Sequence, residues 1–402
     1  MQFKLLNFHK LVGNFASTLV GTFIPLMIYQ ATGSIRLAAL FIVGQCLFRI
    51  IANHVFKKLF NNYPQLTLLI RIIPMLIYNI TLIFLEEFMI LGIIIVAISY
   101  GVSLSLKNNA LGVLLNYTSK KNSQKKLTTS RIVEAISAMV AAVSGGLFID
   151  WNQTALIIFS ITLYLISVIP LIVYYISNKS KSGFNVDFTS NTAIYYDKTP
   201  ELKTKRQKLV KHFVFQFFMF YMLFCILDNF TSLYSLHLFV NSPTFAKAGY
   251  ISAMYQLGAL TSSLCMNYIN KKFELSTANV ICGLLCSIPV VVIPFIQSYV
   301  GIYVLIFIFG FAYAICSYFM MNSLMEKCKI ISATNKALVA RQDGILAGQM
   351  LNPIIIVCFG KIQPVFFIMF GAMFVYVIYT KIVENKLRTK LVDYIENNEI
   401  EN

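Results

Sequence analysis

A single carboxylate interrupts one of the most apolar stretches of the chain. Asp228 lies in the sequence Cys-Ile-Leu-Asp-Asn-Phe, and Thr231, Ser232 and Ser235 follow it three, four and seven residues later. On a helix these spacings place the polar side chains on one face. Desolvation disfavours the charged form of a carboxylate, so Asp228 is suited to binding and releasing a proton. A static aspartate that only hydrogen-bonds to neighbouring helices is the alternative.

A second charged residue inside an apolar stretch is Lys107. Tyr100, Ser103 and Lys107 are spaced i, i+3 and i+7, which again predicts one face of a helix. An ammonium group in this position would attract an anionic ligand or pair with a carboxylate from another helix. The alternative is a lysine that extends its charged end to the nearest aqueous surface.

Neutral polar side chains form similar stripes in other apolar stretches. Asn14 and Ser17 share one face near the N-terminus, and Gln349 and Asn352 share another late in the chain. Lining of a cavity and close packing of helices are the two readings of such stripes. The predicted cavity comprises Asn14, Ser17, Gln45, Tyr100, Ser103, Lys107, Thr231, Ser232, Ser235, Gln349 and Asn352.

Two arginines, each followed closely by an acidic residue, occupy matching positions in the two halves of the chain. Arg131 precedes Glu134, and Arg341 precedes Asp343. The match indicates a weak internal repeat, and the four residues are candidates for ion pairs at an inner gate. Surface pairing and extension of the arginines into water are the alternatives.

Motifs for other chemistries are absent from the sequence. It contains no G-x-x-x-x-G-K-[ST] loop for ATP, no H-E-x-x-H and no G-x-S-x-G. The four histidines are scattered, and the eight cysteines include no C-x-x-C pair. We therefore predict no cofactor, no metal site and no enzymatic activity.

The composition is that of an integral membrane protein. Hydrophobic residues make up 58% of the chain and charged residues only 12%, whereas soluble domains carry roughly 25% charged residues. A bilayer core needs roughly 20 apolar residues of helix. That length predicts twelve spans, near 8–31, 37–56, 66–85, 88–115, 129–150, 153–176, 209–240, 245–270, 276–297, 300–325, 338–360 and 363–382.

Basic residues are concentrated in every second predicted loop. Lys57 and Lys58 lie in one such loop and Lys271 and Lys272 in another, whereas the alternate loops hold few basic residues. Since cytoplasmic loops of membrane proteins are enriched in Lys and Arg, we predict that both termini are cytoplasmic. The same pattern accounts for the net charge of +17 without a nucleic-acid partner.

The longest polar interruption divides the chain into two similar parts. We predict an N-terminal six-helix bundle at 1–176, a cytoplasmic linker at 177–208, a C-terminal six-helix bundle at 209–382 and a cytoplasmic tail at 383–402. The predicted fold class is thus an all-α integral membrane protein with twelve transmembrane helices in two six-helix bundles.

Two six-helix halves joined by a basic linker resemble the major facilitator superfamily of transporters. The first span, with Gly-Asn-Phe-Ala-Ser at residues 13–17 and Ala-Thr-Gly-Ser at 31–34, is similar to the start of bacterial drug-efflux facilitators of the macrolide-exporter type. The loop after the second span departs from the family pattern, because it lacks the Asp of the usual gating motif. The fifth span also lacks the Gly- and Pro-rich pattern of antiporters.

The resemblance implies a monomeric secondary transporter in the cell membrane. On this reading the protein is an antiporter that exports a small amphiphilic molecule by alternating access and is coupled to protons or another ion at Asp228. Uptake of a small nutrient and flipping of a lipid or glycolipid are the alternative functions. A membrane-embedded enzyme or a sensor is the competing class of protein.

Overall fold

The described structure consists of helices and their connections. The computed structural model describes residues 2–118, 123–178, 200–272, 275–296, 298–330 and 334–400. The helices are α1 Gln2–Gly21, α2 Ile24–Thr32, α3 Ile35–Val55, α4 Lys57–Asn62, α5 Pro64–Ile70, α6 Ile72–Ile83, α7 Leu85–Thr118, α8 Ser123–Trp151, α9 Gln153–Asn178, α10 Pro200–Phe224, α11 Phe230–Asn241, α12 Phe245–Lys272, α13 Leu275–Val292, α14 Tyr299–Ile330, α15 Thr334–Phe359 and α16 Gln363–Ile400, with 3-10 turns at Cys225–Leu227 and Ile293–Phe295.

These helices account for the twelve predicted spans. Within the described residues, ten helical segments are long and apolar enough to cross a membrane. The other two predicted spans correspond to α12, which has 28 residues, and to the shorter apolar helix Val280–Phe295. The prediction of an all-α membrane protein with twelve spans is confirmed.

Three of the spans consist of two separate α-helices, and proline explains two of these breaks. Pro25 and Pro74 lie close to the starts of α2 and α6. A proline has no N–H for the carbonyl four residues earlier and clashes with it, so the helix is interrupted near Gly21 and at Arg71. The third break, between α10 and α11 in the seventh span, contains no proline.

The two halves meet along two pairs of helices. Inside the halves α1 packs on α8 and α9, α3 on α7, α10 on α15, and α12 on α14. Between the halves α8 packs on α12, and α3 packs on α15, while α2 touches α11. We call the end of the molecule where α1 begins the terminal end, and the opposite end, where α8 finishes and α12 begins, the distal end.

The α8–α12 contact depends on glycine. A Cβ on Gly146 would lie 2.6 Å from the carbonyl oxygen of Phe245 on the other half. A Cβ on the neighbouring Gly145 would lie equally close to the carbonyl oxygen of Leu19 on α1. Small residues permit this approach of backbones in membrane helices, so the glycine pair lets α8 contact its own half and the other half together.

The predicted linker lies largely outside the described residues. Helix α9 continues to Asn178, and α10 begins at Pro200, so 179–199 are not described. The helix that contains the twelfth span continues to Ile400 and takes in most of the predicted tail. The predicted domain boundaries remain predictions.

Candidate functional site

The break in the seventh span positions Asp228. The 3-10 turn Cys225–Leu227 is closed by a hydrogen bond of 3.1 Å from the Asp228 N–H to the Cys225 carbonyl. The carboxylate then accepts a hydrogen bond of 3.1 Å from the Tyr313 hydroxyl on α14 and another from the Gln349 side-chain amide on α15. A carboxylate deep in an apolar span is therefore held by two neutral donors from two different helices.

Helix α15 reaches this break because it carries glycine. A Cβ on Gly348 would collide with the Met222 carbonyl oxygen and would lie 3.0 Å from the Cys225 carbonyl carbon and 3.1 Å from the Ile226 nitrogen. Two amides reinforce the contact: Asn352 donates to the Ile226 carbonyl at 2.6 Å, and Asn229 donates to the Gln349 carbonyl at 2.5 Å. These bonds satisfy backbone carbonyls at a place where the helical ladder is interrupted.

The Asp228 site also touches the N-terminal half. The Cys46 thiol on α3 donates to the Gln349 side-chain oxygen at 3.7 Å. Arg49, one turn further along α3, interacts electrostatically with Asp228, although no ion pair joins Asp228 to a cation in the described part of the chain. Gln349 thus connects the carboxylate to both halves.

Aromatic rings cover one side of the carboxylate. Tyr313 stacks on Phe224 with ring centroids 4.5 Å apart and lies 5.7 Å from Phe309 and 6.2 Å from Tyr255. All four rings belong to the C-terminal half. This group gives the site an apolar wall beside its one acidic group.

A second polar group lies inside the N-terminal half. The Lys107 ammonium donates to the Asn14 side-chain oxygen at 2.5 Å, and the Asn14 amide donates to the Ser137 hydroxyl at 2.8 Å. Ser17 donates to the Asn14 carbonyl at 3.2 Å. The structure therefore joins three residues of the predicted cavity, from α1 and α7.

Ser103, also on α7, faces a different partner. It accepts a hydrogen bond of 3.1 Å from Arg71, whose guanidinium lies 4.8 Å from the centre of the Tyr164 ring. Arg71 is 1% exposed and lies at the break between α5 and α6. Ser103 belongs to the interior of the N-terminal bundle.

The other predicted cavity residues are dispersed. Tyr100 packs on Gly21, where an added Cβ would lie 2.5 Å from its hydroxyl, and its ring centroid is 5.2 Å from that of Tyr78. The buried side-chain oxygen of Gln45 has no hydrogen-bond partner among the described residues. The hydroxyl residues of α11 are Thr231 and Ser232, which are partly exposed, and Ser235, which is buried.

The predicted inner-gate residues have the following partners. Glu134 pairs with Lys10 at 2.7 Å, and Asp343 lies 3.5 Å from the His54 imidazole. The Arg341 guanidinium lies over the Tyr221 ring, 5.0 Å from its centre. The side chain of Arg131 lies outside the described residues. The four-residue gate remains a prediction.

Hydrogen bonds also join the halves near both ends of the molecule. Towards the terminal end, Gln342 on α15 donates to Asn109 on α7 at 2.8 Å, and Asn109 donates to Asn53 on α3 at 2.7 Å. At the distal end, the Asp150 carboxylate accepts from the N–H groups of Phe245 and Ala246, at 3.0 Å each. The halves are thus tied together at both ends.

Sequence reasoning missed several of these residues. Asn109, Gln342 and Tyr313 were not singled out, although an amide inside an apolar span is costly to leave unpaired and is itself a signal. Nothing in the sequence indicated that Asp150 caps a helix, because its partners are backbone N–H groups in the other half of the chain. Within the described residues, no group of three or more His, Cys, Asp or Glu side chains could hold a metal ion.

Solved structures resemble the whole molecule. The nucleoside transporter NupG superposes with a TM-score of 0.66 at 14% identity, over 94% of this chain and 97% of its own. A bacterial homologue of the iron transporter ferroportin in the inward-facing state gives 0.67 at 11%, over 94% and 97%. The major facilitator superfamily transporter FucP, in the outward conformation, gives 0.55 at 13%, over 95% and 98%. At these identities the likeness shows the fold.

The sequence supplies the family. No curated protein matches it, but the model of the Major Facilitator Superfamily matches residues 10–340. This match runs from α1 into α15 and covers well over half of the chain. The protein belongs to the major facilitator superfamily.

Proposed function

We propose that the protein is a secondary transporter that exports a small amphiphilic molecule and couples this movement to protons at Asp228. The observation that carries the proposal is the position of Asp228, at the break in the seventh span and in contact with Gln349. Through Gln349 and Cys46 the carboxylate is connected to the opposite half. A proton taken up there acts on a contact between the two halves that alternating access must rearrange.

Neutral partners suit a carboxylate that gains and loses a proton. Tyr313 and Gln349 donate to Asp228 without neutralising its charge. Protonation turns one of the carboxylate oxygens into a donor and removes the negative charge that strengthens both hydrogen bonds. The bond from Gln349 to Asp228 is then weaker, so the Gln349 side chain can change its contact with Cys46.

The nature of the cargo follows from the two faces of the site. The partly exposed Tyr255, next to Tyr313, offers an apolar surface, and the carboxylate and nearby amides offer hydrogen bonds. Such a surface fits an amphiphilic molecule better than a fully polar one. The similar structures carry names with different cargoes, a nucleoside and iron among them, so export rests on the resemblance of the first span.

The remaining features of the proposal are a monomer in the cell membrane with both termini in the cytoplasm. In this orientation the terminal end faces the cytoplasm, and Arg131, Glu134, Arg341 and Asp343 form its gate.

The test is transport by the purified protein in liposomes. A panel of amphiphilic fluorescent compounds is added, and accumulation is measured with and without an imposed pH gradient. We expect at least one compound to move against its own gradient only when the pH gradient is present. Movement of a labelled lipid between leaflets would instead indicate a flippase, and flux equal to that of protein-free liposomes for every compound would contradict the proposal.

A further inference from the structure

Positive charge collects inside the N-terminal half. Lys10, Arg71 and Lys107, here called the cationic cluster, are 6%, 1% and 7% exposed. Lys107 is repelled by Arg71, Lys10 and Arg49 and attracted by Glu134. Among the described residues, its main charged neighbours are thus three cations and one partly exposed carboxylate.

Glu134 is already occupied by one member of the cluster. Lys10 binds it at 2.7 Å and also donates to the Ser130 hydroxyl at 2.9 Å. The described polar partners of the other two members are uncharged: Asn14 for Lys107, and Ser103 with the Tyr164 ring for Arg71. Their positive charges are therefore not compensated by an ion pair in the described part of the chain.

An uncompensated cation inside the protein is costly. Charged side chains within transmembrane segments almost always pair with one another or with backbone carbonyls, and buried charges in proteins are normally paired. A lysine can lose its proton in such a place, but a guanidinium stays charged. The positive charge of Arg71 therefore still requires an anion even if Lys107 becomes neutral.

We infer that the cationic cluster binds an oxyanion group, a carboxylate or a phosphate, at Arg71 and Lys107. The planar fork of a guanidinium matches the oxygens of these groups, and the hydrogen bonds formed are roughly twice as strong as neutral ones. Arg71 uses only its Nε in the described hydrogen bond to Ser103. A guanidinium has five N–H donors, more than the hydrogen bonds to Ser103 and Tyr164 require.

If the proposed function holds, the oxyanion group bound by the cationic cluster is part of the cargo. The cluster lies in the half opposite to Asp228. Arg49 on α3 interacts electrostatically with both Lys107 and Asp228, so it lies between the two sites in its electrostatic effect. An acidic amphiphile would place its charged group in the N-terminal half and its apolar part against the rings of the C-terminal half.

Binding is tested on the full-length protein in an uncharged detergent, without any gradient. Thermal unfolding is followed by intrinsic fluorescence while sodium phosphate or sodium octanoate replaces sodium chloride at constant ionic strength. We expect a saturable rise of the unfolding temperature. Lys107→Gln should weaken the apparent affinity at least tenfold, whereas Lys58→Gln, an exposed lysine on α4, should leave it unchanged.

Further outcomes separate the possibilities. Lys107→Arg keeps the charge and should retain binding, which controls for misfolding of the glutamine variant. Saturation by octanoate but not by phosphate supports the statement that the bound oxyanion belongs to the cargo. Saturation by phosphate alone assigns the site to a free ion and overturns that statement. If neither anion acts beyond chloride, or if both act equally on Lys107→Gln and Lys58→Gln, the inference is wrong. Since no transport is measured, these results stand apart from the proposed function.

Discussion

Replacing Gly348 with alanine should disturb the packing that holds Gln349 against Asp228. The added Cβ would collide with the Met222 carbonyl oxygen and would lie 3.0 Å and 3.1 Å from backbone atoms of Cys225 and Ile226, where ordinary contact begins at 3.4 Å. These are backbone atoms, so α15 itself must shift. Overpacking of this kind costs about 1–3 kcal/mol, and alanine regains about 0.5–1 kcal/mol of helix stability over glycine.

Gly371→Ala on α16 is the matched control, because a Cβ there has nothing within 4 Å. It gains the same helix stability without the clash, so the two variants should differ in stability by the overpacking cost alone, about 1–3 kcal/mol. The assay is the apparent unfolding temperature of both proteins in the same detergent, together with gradient-driven transport. Equal unfolding temperatures would refute the close contact between α15 and the seventh span.

Two further predictions concern the ties between the halves. Asp150→Ala removes a charged cap from the first turn of α12 and should cost about 1 kcal/mol, so amide hydrogens of that turn should exchange roughly fivefold faster. Glu86→Gln, at an exposed position, should leave this exchange rate unchanged. Equal exchange rates in both variants would show that the cap is absent. Gln342→Leu and Asn109→Leu, taken singly and together, should give a coupling energy of about 0.5–1.5 kcal/mol in unfolding measurements. A coupling near zero would mean that this hydrogen bond does not hold the halves together.

The helices could be predicted from the sequence because length and apolarity decide them. A span needs about 20 apolar residues, and the twelve stretches that satisfy this condition are each helical here. Proline also marks the breaks at Pro25 and Pro74. The break before Asp228 could not be predicted, because it arises where Gly348 lets α15 press on the seventh span, and a single sequence does not show which helices touch.

Contacts between side chains on different helices could not be predicted from the sequence for the same reason. Asp228 and Gln349 were both recognisable as polar residues in apolar spans, but their contact depends on the register between α15 and the seventh span. Spacing along the chain suggested Arg341 as a partner for Asp343, whereas the structure places His54 beside it. Tyr313 is one of 22 tyrosines in the sequence, and only its hydroxyl bond to Asp228 distinguishes it.

The most direct test of the central claim measures proton movement and cargo movement in the same liposomes. A pH-sensitive dye is trapped inside, a transported compound is added, and the wild type is compared with Asp228→Asn, which keeps the size of the side chain. If Asp228 is the coupling group, the wild type moves protons as the compound crosses, and the variant, shown to be folded by its unfolding transition, moves the compound without protons or not at all. An Asp228→Asn protein that still moves as many protons per molecule of compound as the wild type would contradict the account.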